Sequence, residues 1–106
     1  MIQDYKEAVK WYHKAAKQGY TTAQYNLAVM YSKGKGVTKN EEEAFIWYQK
    51  AAKQGYAIAQ YKLGTIYEYR EGVAKDGSEA VIWYRRAARR GNEKAQERLL
   101  SMRLNW

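Results

Sequence analysis

The feature that most constrains how this chain folds is an internal repeat with a period of 36 residues. A tryptophan-tyrosine pair occurs three times at this spacing, as Trp11-Tyr12, Trp47-Tyr48 and Trp83-Tyr84. The same step relates paired alanines, a glycine, an alanine-glutamine pair and a leucine, which in the first copy are Ala15-Ala16, Gly19, Ala23-Gln24 and Leu27. Agreement at so many positions in 106 residues predicts three copies of one structural unit.

The first part of each copy has the pattern of an amphipathic helix. In the first copy, residues at helical spacing predict one buried stripe, formed by Ala8, Trp11, Tyr12, Ala15 and Ala16. A polar residue three positions before a glutamate is the capping-box signature of a helix start, and it occurs at Asp4, Asn40 and Asp76. A glycine that can adopt the left-handed conformation is expected to end each helix, at Gly19, Gly55 and Gly91.

A second helix is predicted to begin near residues 21, 57 and 93. In the first copy its buried positions are expected to be Ala23, Leu27, Ala28, Met30 and Tyr31. Ala28 and Gly64 occupy equivalent positions, where the next unit is expected to press against the helix backbone. The larger Leu100 at this position in the third copy indicates that the stack ends there. Trp106 lies outside the repeat, and the sequence leaves open whether it is part of a cap or an exposed tail.

Together these patterns predict an all-α fold, an α-solenoid of three αα-hairpins with six helices. The predicted units span about residues 4–39, 40–75 and 76–106, the last acting as a C-terminal cap. All three units are assigned to a single domain covering residues 1–106.

These residues resemble the Sel1-like repeat family, a relative of the tetratricopeptide repeats. The family pattern W-Y-x-K-A-A-x-Q-G, A-Q-x-x-L-G-x-x-Y, G-x-G-V is matched almost throughout by residues 11–37 and 47–73, and its first two-thirds by residues 83–100. The resemblance implies helical hairpins in a right-handed superhelix that act as adaptors for other proteins, and many relatives are bacterial.

Two residues depart from the family pattern. Arg70 replaces a glycine, so the preceding helix is expected to run on through Tyr69, and Arg103 replaces a tyrosine, as expected of a terminal cap.

The composition leaves little room for catalysis. The chain has no cysteine and one histidine, His13, so thiol nucleophiles and cysteine-based zinc sites are excluded. The repeat equivalents of His13 are Gln49 and Arg85, which indicates a variable, solvent-facing position. Gly34-Lys35-Gly36 is only a weak match to a phosphate-binding loop. We therefore expect neither an enzyme nor a metal, cofactor or small-molecule site.

The first helix of each unit carries the stronger functional pattern. Because a helix turns about 100° per residue, the residues opposite the tryptophan stripe form one arc. First helices line the inner surface of such solenoids, so this arc is predicted to form a groove that is basic at both ends and carries two exposed isoleucines in its middle. The predicted groove residues are Lys10, His13, Lys14, Lys17, Ile46, Gln49, Lys50, Lys53, Ile82, Arg85, Arg86 and Arg89.

Three functions are compatible with this pattern. The first is a protein-interaction adaptor whose groove binds an acidic segment of another protein, with Ile46 and Ile82 as apolar contacts. The second is nucleic-acid binding, because the net charge is +8 and arginines cluster at Arg85-Arg86 and Arg89-Arg90. Against it, no exposed aromatic series is expected, since the repeated tryptophans are predicted to be core residues. The third is a fragment or consensus-like repeat array with no ligand of its own.

The sequence leaves the cellular compartment open. The first residues lack the basic and apolar regions of a signal peptide, which favours the cytoplasm unless a leader has been removed. No apolar run approaches the length of a membrane-spanning helix.

Overall fold

The computed structural model describes residues 4–69 and 77–106, and within these ranges it contains six helices and no strand. The second helices begin within a residue of the positions predicted from the repeat, and the predicted all-α helical-repeat fold is confirmed. The helices are α1 Tyr5–Lys17, α2 Thr21–Lys33, α3 Glu41–Lys53, α4 Ala57–Tyr69, α5 Gly77–Arg89 and α6 Glu93–Ser101.

Side-chain caps fix the starts of three helices. The backbone N–H groups of Glu7 and Glu43 donate to the side chains of Asp4 and Asn40, at 3.2 and 3.0 Å. This bond satisfies an amide that has no partner inside the helix. Asn92 caps α6 in the same way, although no glutamate follows it three residues later to complete a capping box. The third predicted cap, Asp76, lies outside the described residues.

Left-handed glycines follow the first helices, as the sequence predicts. Gly19, Gly55 and Gly91 have φ angles of +96°, +96° and +94°, a region that a side chain with a Cβ atom rarely occupies. At Gly19 the chain reverses direction, and α2 starts two residues later. Helix α4 extends to Tyr69, as predicted, and Arg70 itself lies outside the described residues.

The structure divides into two compact units, the first of which comprises Met1–Gln54. Within it α2 packs against both α1 and α3, and more extensively against α3. Small residues allow this close approach, and the ring of Tyr48 fills space between the helices. The unit boundary falls after α3, whereas the boundary predicted between repeats 4–39 and 40–75 falls between α2 and α3. The buried apolar residues are Val9, Ala16, Ala23, Leu27, Ala28, Ala44, Trp47, Tyr48, Ala51 and Ala52.

The second compact unit comprises Gly55–Trp106, and within it α5 packs against α4 and α6. Its core includes Tyr84 and Leu99, neither of which is accessible to solvent. A Cβ atom at Gly64 would lie 2.5 Å from the ring of Tyr84, so the neighbouring first helix presses against the backbone there, as predicted. Leu100, at the equivalent position of α6, is instead 61% exposed.

The chain turns back on itself after α6. This helix has nine residues, against thirteen in each of the other five. Arg103 follows in a left-handed conformation with a φ of +61°, and the N–H of Leu104 donates to the carbonyl of Leu99 at 2.8 Å. This closure brings the last residues beside α5. In the described part of the chain, no helix is long and apolar enough to cross a membrane.

Candidate partner-binding surface on the first helices

The predicted groove residues lie on α1 and α3 of the first unit and on α5 of the second. The two isoleucines are exposed as expected, Ile46 by 43% and Ile82 by 44%. Three positions are only half exposed, namely His13, Gln49 and Arg85. The remaining basic members are all exposed: Lys10, Lys14, Lys17, Lys50, Lys53, Arg86 and Arg89.

A contact that recurs in every first helix links a glutamate, a tryptophan and a basic residue. Each indole Nε1–H donates to the carboxylate four residues earlier, at 3.0–3.1 Å, in the pairs Trp11–Glu7, Trp47–Glu43 and Trp83–Glu79. A basic side chain three residues later lies over the ring, at 5.2, 5.4 and 4.6 Å, in the pairs Lys14–Trp11, Lys50–Trp47 and Arg86–Trp83.

This arrangement gives the glutamates of the predicted capping boxes a second role, because their carboxylates accept indole protons. It also restrains three cations of the predicted groove, since a cation over an aromatic face gains about 0.5–1 kcal/mol at an exposed site. Repeat spacing alone could have suggested it, because residues three and four apart are neighbours on a helix.

The prediction that all three repeat tryptophans are core residues is wrong for Trp11. Trp47 is 6% exposed, because His13 of α1 packs edge-on against its ring with centroids 5.8 Å apart. Trp11 is 61% exposed, because no described helix takes the corresponding place beside α1. The same pattern position is therefore core in one helix and surface in another.

The contact with Trp47 also corrects the assignment of His13 as a solvent-facing residue. Its imidazole is half-buried and forms part of the packing between α1 and α3. A partner could contact only the remaining exposed part of this ring.

A chain of side-chain hydrogen bonds ties together the three helices of the first unit. Thr21 Oγ1 donates to Gln54 Oε1 at 2.7 Å, and Gln54 Nε2 donates to Gln24 Oε1 at 2.7 Å. Gln24 Nε2 in turn donates to the carbonyl of Ala16 near the end of α1, at 3.2 Å. Gln96 makes the corresponding bond to Ala88 in the second unit, at 3.0 Å. The repeated glutamine therefore satisfies a helix-terminal carbonyl.

In the second unit, Glu68 of α4 is the centre of a polar cluster that was not predicted from the sequence. Its carboxylate accepts hydrogen bonds from Tyr84 at 2.7 Å and from the guanidinium of Arg98, with which it forms an ion pair. The hydrogen bond from Arg98 holds the pKa of Glu68 below its ordinary value, against the opposing effect of burial. Burial and the contact with Glu68 raise the pKa of Tyr84. The repeat equivalent of Glu68 is Ser32, which is hydrogen-bonded to Tyr48 as Glu68 is to Tyr84. Because serine carries no charge, the repeat pattern does not predict the ion pair with Arg98.

The lowered pKa predicts an acid-sensitive contribution to stability. A carboxyl group whose pKa is lower in the folded state than in the unfolded state stabilises the fold. This stabilisation is fully present above the unfolded pKa of 4.5, and it is lost as the pH falls through the lower pKa of the folded state. At pH 7, Glu68→Gln should lower the free energy of unfolding by about 1–2 kcal/mol, since Arg98 is partly solvated. Urea unfolding should show this difference shrinking as the pH falls below about 4.5. A difference that does not change with pH would contradict the assignment.

Two predicted groove residues on α5 contact the chain's own last residues. Arg85 Nε donates to the carbonyl of Asn105 at 2.9 Å, and Arg89 Nε donates to the carbonyl of Trp106 at 2.8 Å. These bonds occupy part of each guanidinium, so a partner would meet Arg86 and Ile82 more freely than Arg85. Trp106, which the sequence left undecided, is 40% exposed.

Within residues 4–69 and 77–106, no group of three acidic or histidine side chains could hold a metal ion. The described ranges thus offer a surface of charged, apolar and aromatic side chains on helices.

The helices occur in pairs that recur with a fixed period, and the first helix of each pair presents an exposed arc. These features define an α-helical repeat protein. The chain belongs to the Sel1 repeat family, whose model matches residues 1–20, 21–56 and 57–92. The last two matched segments begin at the starts of α2 and α4, so the family model pairs each second helix with the following first helix. Sel1 repeat proteins are generally scaffolds for protein interactions, and the family is not typically enzymatic.

Two solved structures are similar to this chain. One is c5321, a protective antigen of uropathogenic Escherichia coli strains with an SLR fold. It is 42% identical with a TM-score of 0.90, over 94% of this chain and 21% of that one. The other is a Sel1 repeat protein from Oxalobacter formigenes, 45% identical with a TM-score of 0.83, over 88% of this chain and 38% of that one. The chain therefore spans less than half the length of either. A comparison with curated proteins gave no match.

Proposed function

We propose that this chain is an adaptor that binds an acidic segment of another protein along the exposed arcs of its first helices. The observation that supports this most directly is the pair Ile46 and Ile82. They occupy equivalent positions of α3 and α5, each more than two-fifths exposed, on arcs whose other members are polar or charged.

The apolar pair supplies what a protein interface needs. Removing apolar surface from water contributes roughly 25 cal/mol per Å², and a few desolvated anchors dominate most interfaces. Each isoleucine leaves a large part of its apolar surface in contact with solvent. A partner that covers either isoleucine would gain binding energy that isolated surface lysines cannot provide.

The surrounding charges favour an acidic partner. The cations over the tryptophan rings, Lys14, Lys50 and Arg86, are held at the same position of each first helix. Charges at the edge of an interface mainly speed association and exclude partners of the wrong sign. Their sign here, with the net charge of +8, is complementary to aspartate and glutamate.

Nucleic-acid binding is the second candidate, and it is motivated by the arginines of α5. Two observations weigh against it. Arg85 and Arg89 already donate to Asn105 and Trp106. In addition, Trp47 and Trp83 are buried, so the repeated tryptophans cannot form a series of stacking platforms for bases, and Trp11 is the one of the three that is exposed.

The two candidates differ in how binding responds to nuclease and to salt. We expect immobilised protein to capture a specific partner from a nuclease-treated bacterial lysate. We also expect fluorescence anisotropy to show only weak binding to a labelled 20-mer oligonucleotide, lost steeply between about 50 and 200 mM salt. Capture that disappears with nuclease, together with tight oligonucleotide binding, would contradict the adaptor. Capture of nothing would favour a repeat fragment without a ligand.

A further inference from the structure

The first compact unit contains a cleft lined by three lysines, of which only Lys50 takes part in a contact described above. It has a volume of about 600 Å³ and lies where the ends of α1 and α3 approach the start of α2. Lys17 comes from the last residue of α1, and Lys50 and Lys53 from the last turn of α3. All three side chains are exposed, while Trp47 contributes a buried aromatic surface to the same cleft.

From this arrangement we infer that the cleft is a carboxylate-binding subsite, which takes aspartate or glutamate side chains of an acidic peptide through Lys17, Lys50 and Lys53. The inference rests on the proposed adaptor function and assigns the recognition of acidic residues to one place on the surface.

The three ammonium groups lack an internal counter-ion. Within residues 4–69 and 77–106, none of them forms an ion pair, and no acidic residue lines the cleft. The acidic residues of α3 lie in its first turn, at the opposite end of the helix. Three like charges around one cleft repel each other, and a bound anion would relieve this repulsion.

The helix ends oppose anion binding, but by less than the lysines favour it. The carboxyl end of each helix carries roughly half a negative charge, so α1 and α3 together contribute about −1 near the cleft, and the amino end of α2 offsets roughly half of this. Three lysines contribute +3. The carbonyl of Ala16 is also partly screened, because it accepts a hydrogen bond from Gln24.

The remaining polar groups shape the cleft and are already bonded. Gln24 and Gln54 line it, and each uses both its amide nitrogen and its oxygen in the chain that runs from Thr21 to Ala16. Trp47 is fixed by Glu43 and His13. The walls are therefore held by hydrogen bonds and ring packing, and the charged ends of the lysines are the groups that can meet a ligand.

The lining favours carboxylates over phosphates. Phosphate sites typically combine a helix amino terminus with backbone N–H groups or with arginine forks. Thr21, Thr22 and Ala23, the first three residues of α2, do not line the cleft. Its lining instead combines the carboxyl ends of α1 and α3 with lysines, which interact as point charges without a demand for two-pronged geometry. Its volume exceeds that of a single ion, and it is open enough for a short length of peptide.

The test uses fluorescein-labelled hexaglutamate as the probe and measures its affinity for the full chain by anisotropy. The cleft variant is Lys17→Gln, Lys50→Gln, Lys53→Gln. The matched control is Lys33→Gln, Lys35→Gln, Lys39→Gln, which removes the same charge from exposed positions elsewhere in the same unit. We expect the cleft variant to bind hexaglutamate about tenfold more weakly than the control variant does, because exposed charge contacts each contribute modestly. Melting curves show whether both variants are folded. If the triple variant unfolds, the double variant Lys17→Gln, Lys53→Gln replaces it, because it keeps the contact of Lys50 with Trp47.

Four outcomes would overturn the subsite. The first is that hexaglutamate does not bind at millimolar concentration, and the second is that both variants lose the same affinity for it. The third is that inorganic phosphate displaces hexaglutamate as effectively as an equal concentration of carboxylate groups does. The fourth is that the cleft variant loses more affinity for a hexathymidine probe than for hexaglutamate. Failure of the adaptor function has a different signature. If the protein captures no partner but binds hexaglutamate through the cleft, the adaptor proposal fails and the subsite remains. If capture depends on the isoleucines but hexaglutamate binding does not depend on the cleft, the subsite fails and the adaptor proposal remains.

Discussion

Replacing Trp47 by alanine is expected to lower the free energy of unfolding by about 3–5 kcal/mol, which in a domain of this size removes much of the total stability. The indole is 6% exposed, donates to Glu43 and packs against His13, so the change leaves a cavity between α1 and α3. Urea unfolding followed by far-ultraviolet circular dichroism measures the loss.

Trp11→Ala is the matched control, because it removes the same side chain from the same repeat position. Trp11 makes the equivalent contacts with Glu7 and Lys14 but is 61% exposed. We expect it to cost about 1 kcal/mol or less, as is usual for surface substitutions. Equal losses in the two variants would show that position in the repeat decides stability and that burial by the neighbouring helix does not. A stable Trp47→Ala that loses partner binding would make Trp47 a binding residue.

The second large effect concerns binding. Ile46→Asp combined with Ile82→Asp should abolish capture of the partner while leaving the melting temperature nearly unchanged. Both side chains are more than two-fifths exposed, so the helices should tolerate aspartate. The partner, however, would have to desolvate two carboxylates where it previously covered apolar surface, and it is itself expected to be acidic.

Ile58→Asp is the control for this pair, because Ile58 is also an exposed isoleucine but lies on the second helix α4. It should leave capture intact. Quantitative mass spectrometry of material captured by wild type, the double variant and the control gives the comparison.

The arginine variant Arg85→Ala, Arg86→Ala, Arg89→Ala should weaken capture less than the isoleucine pair does, and it should reduce the dependence on salt. Two of these arginines already bond to the last residues of the chain. Retained capture by the isoleucine variant, with loss in the arginine variant, would favour nucleic acid over a protein partner. Unfolding of the isoleucine variant would mean that these side chains are structural.

Features that depend on interactions along one helix were determined by the sequence. The period of 36 residues predicted three repeats and six helices, and the predicted caps at Asp4 and Asn40 are present in the structure. The exposed arc of the first helices follows from the helical turn of about 100° per residue. These predictions hold because capping, left-handed glycines and amphipathic periodicity act between residues only a few positions apart.

Features that depend on a neighbouring helix were decided only by the tertiary structure. Trp11 and Trp47 have the same sequence context, yet one is surface and the other core, because burial depends on whether a second helix covers the ring. The contact of Glu68 with Arg98 joins residues thirty positions apart and has no counterpart in the other repeats. The lysine cleft likewise combines side chains from the ends of two helices. A repeat pattern specifies what each unit shares, whereas these contacts arise where the units differ or where packing brings distant residues together.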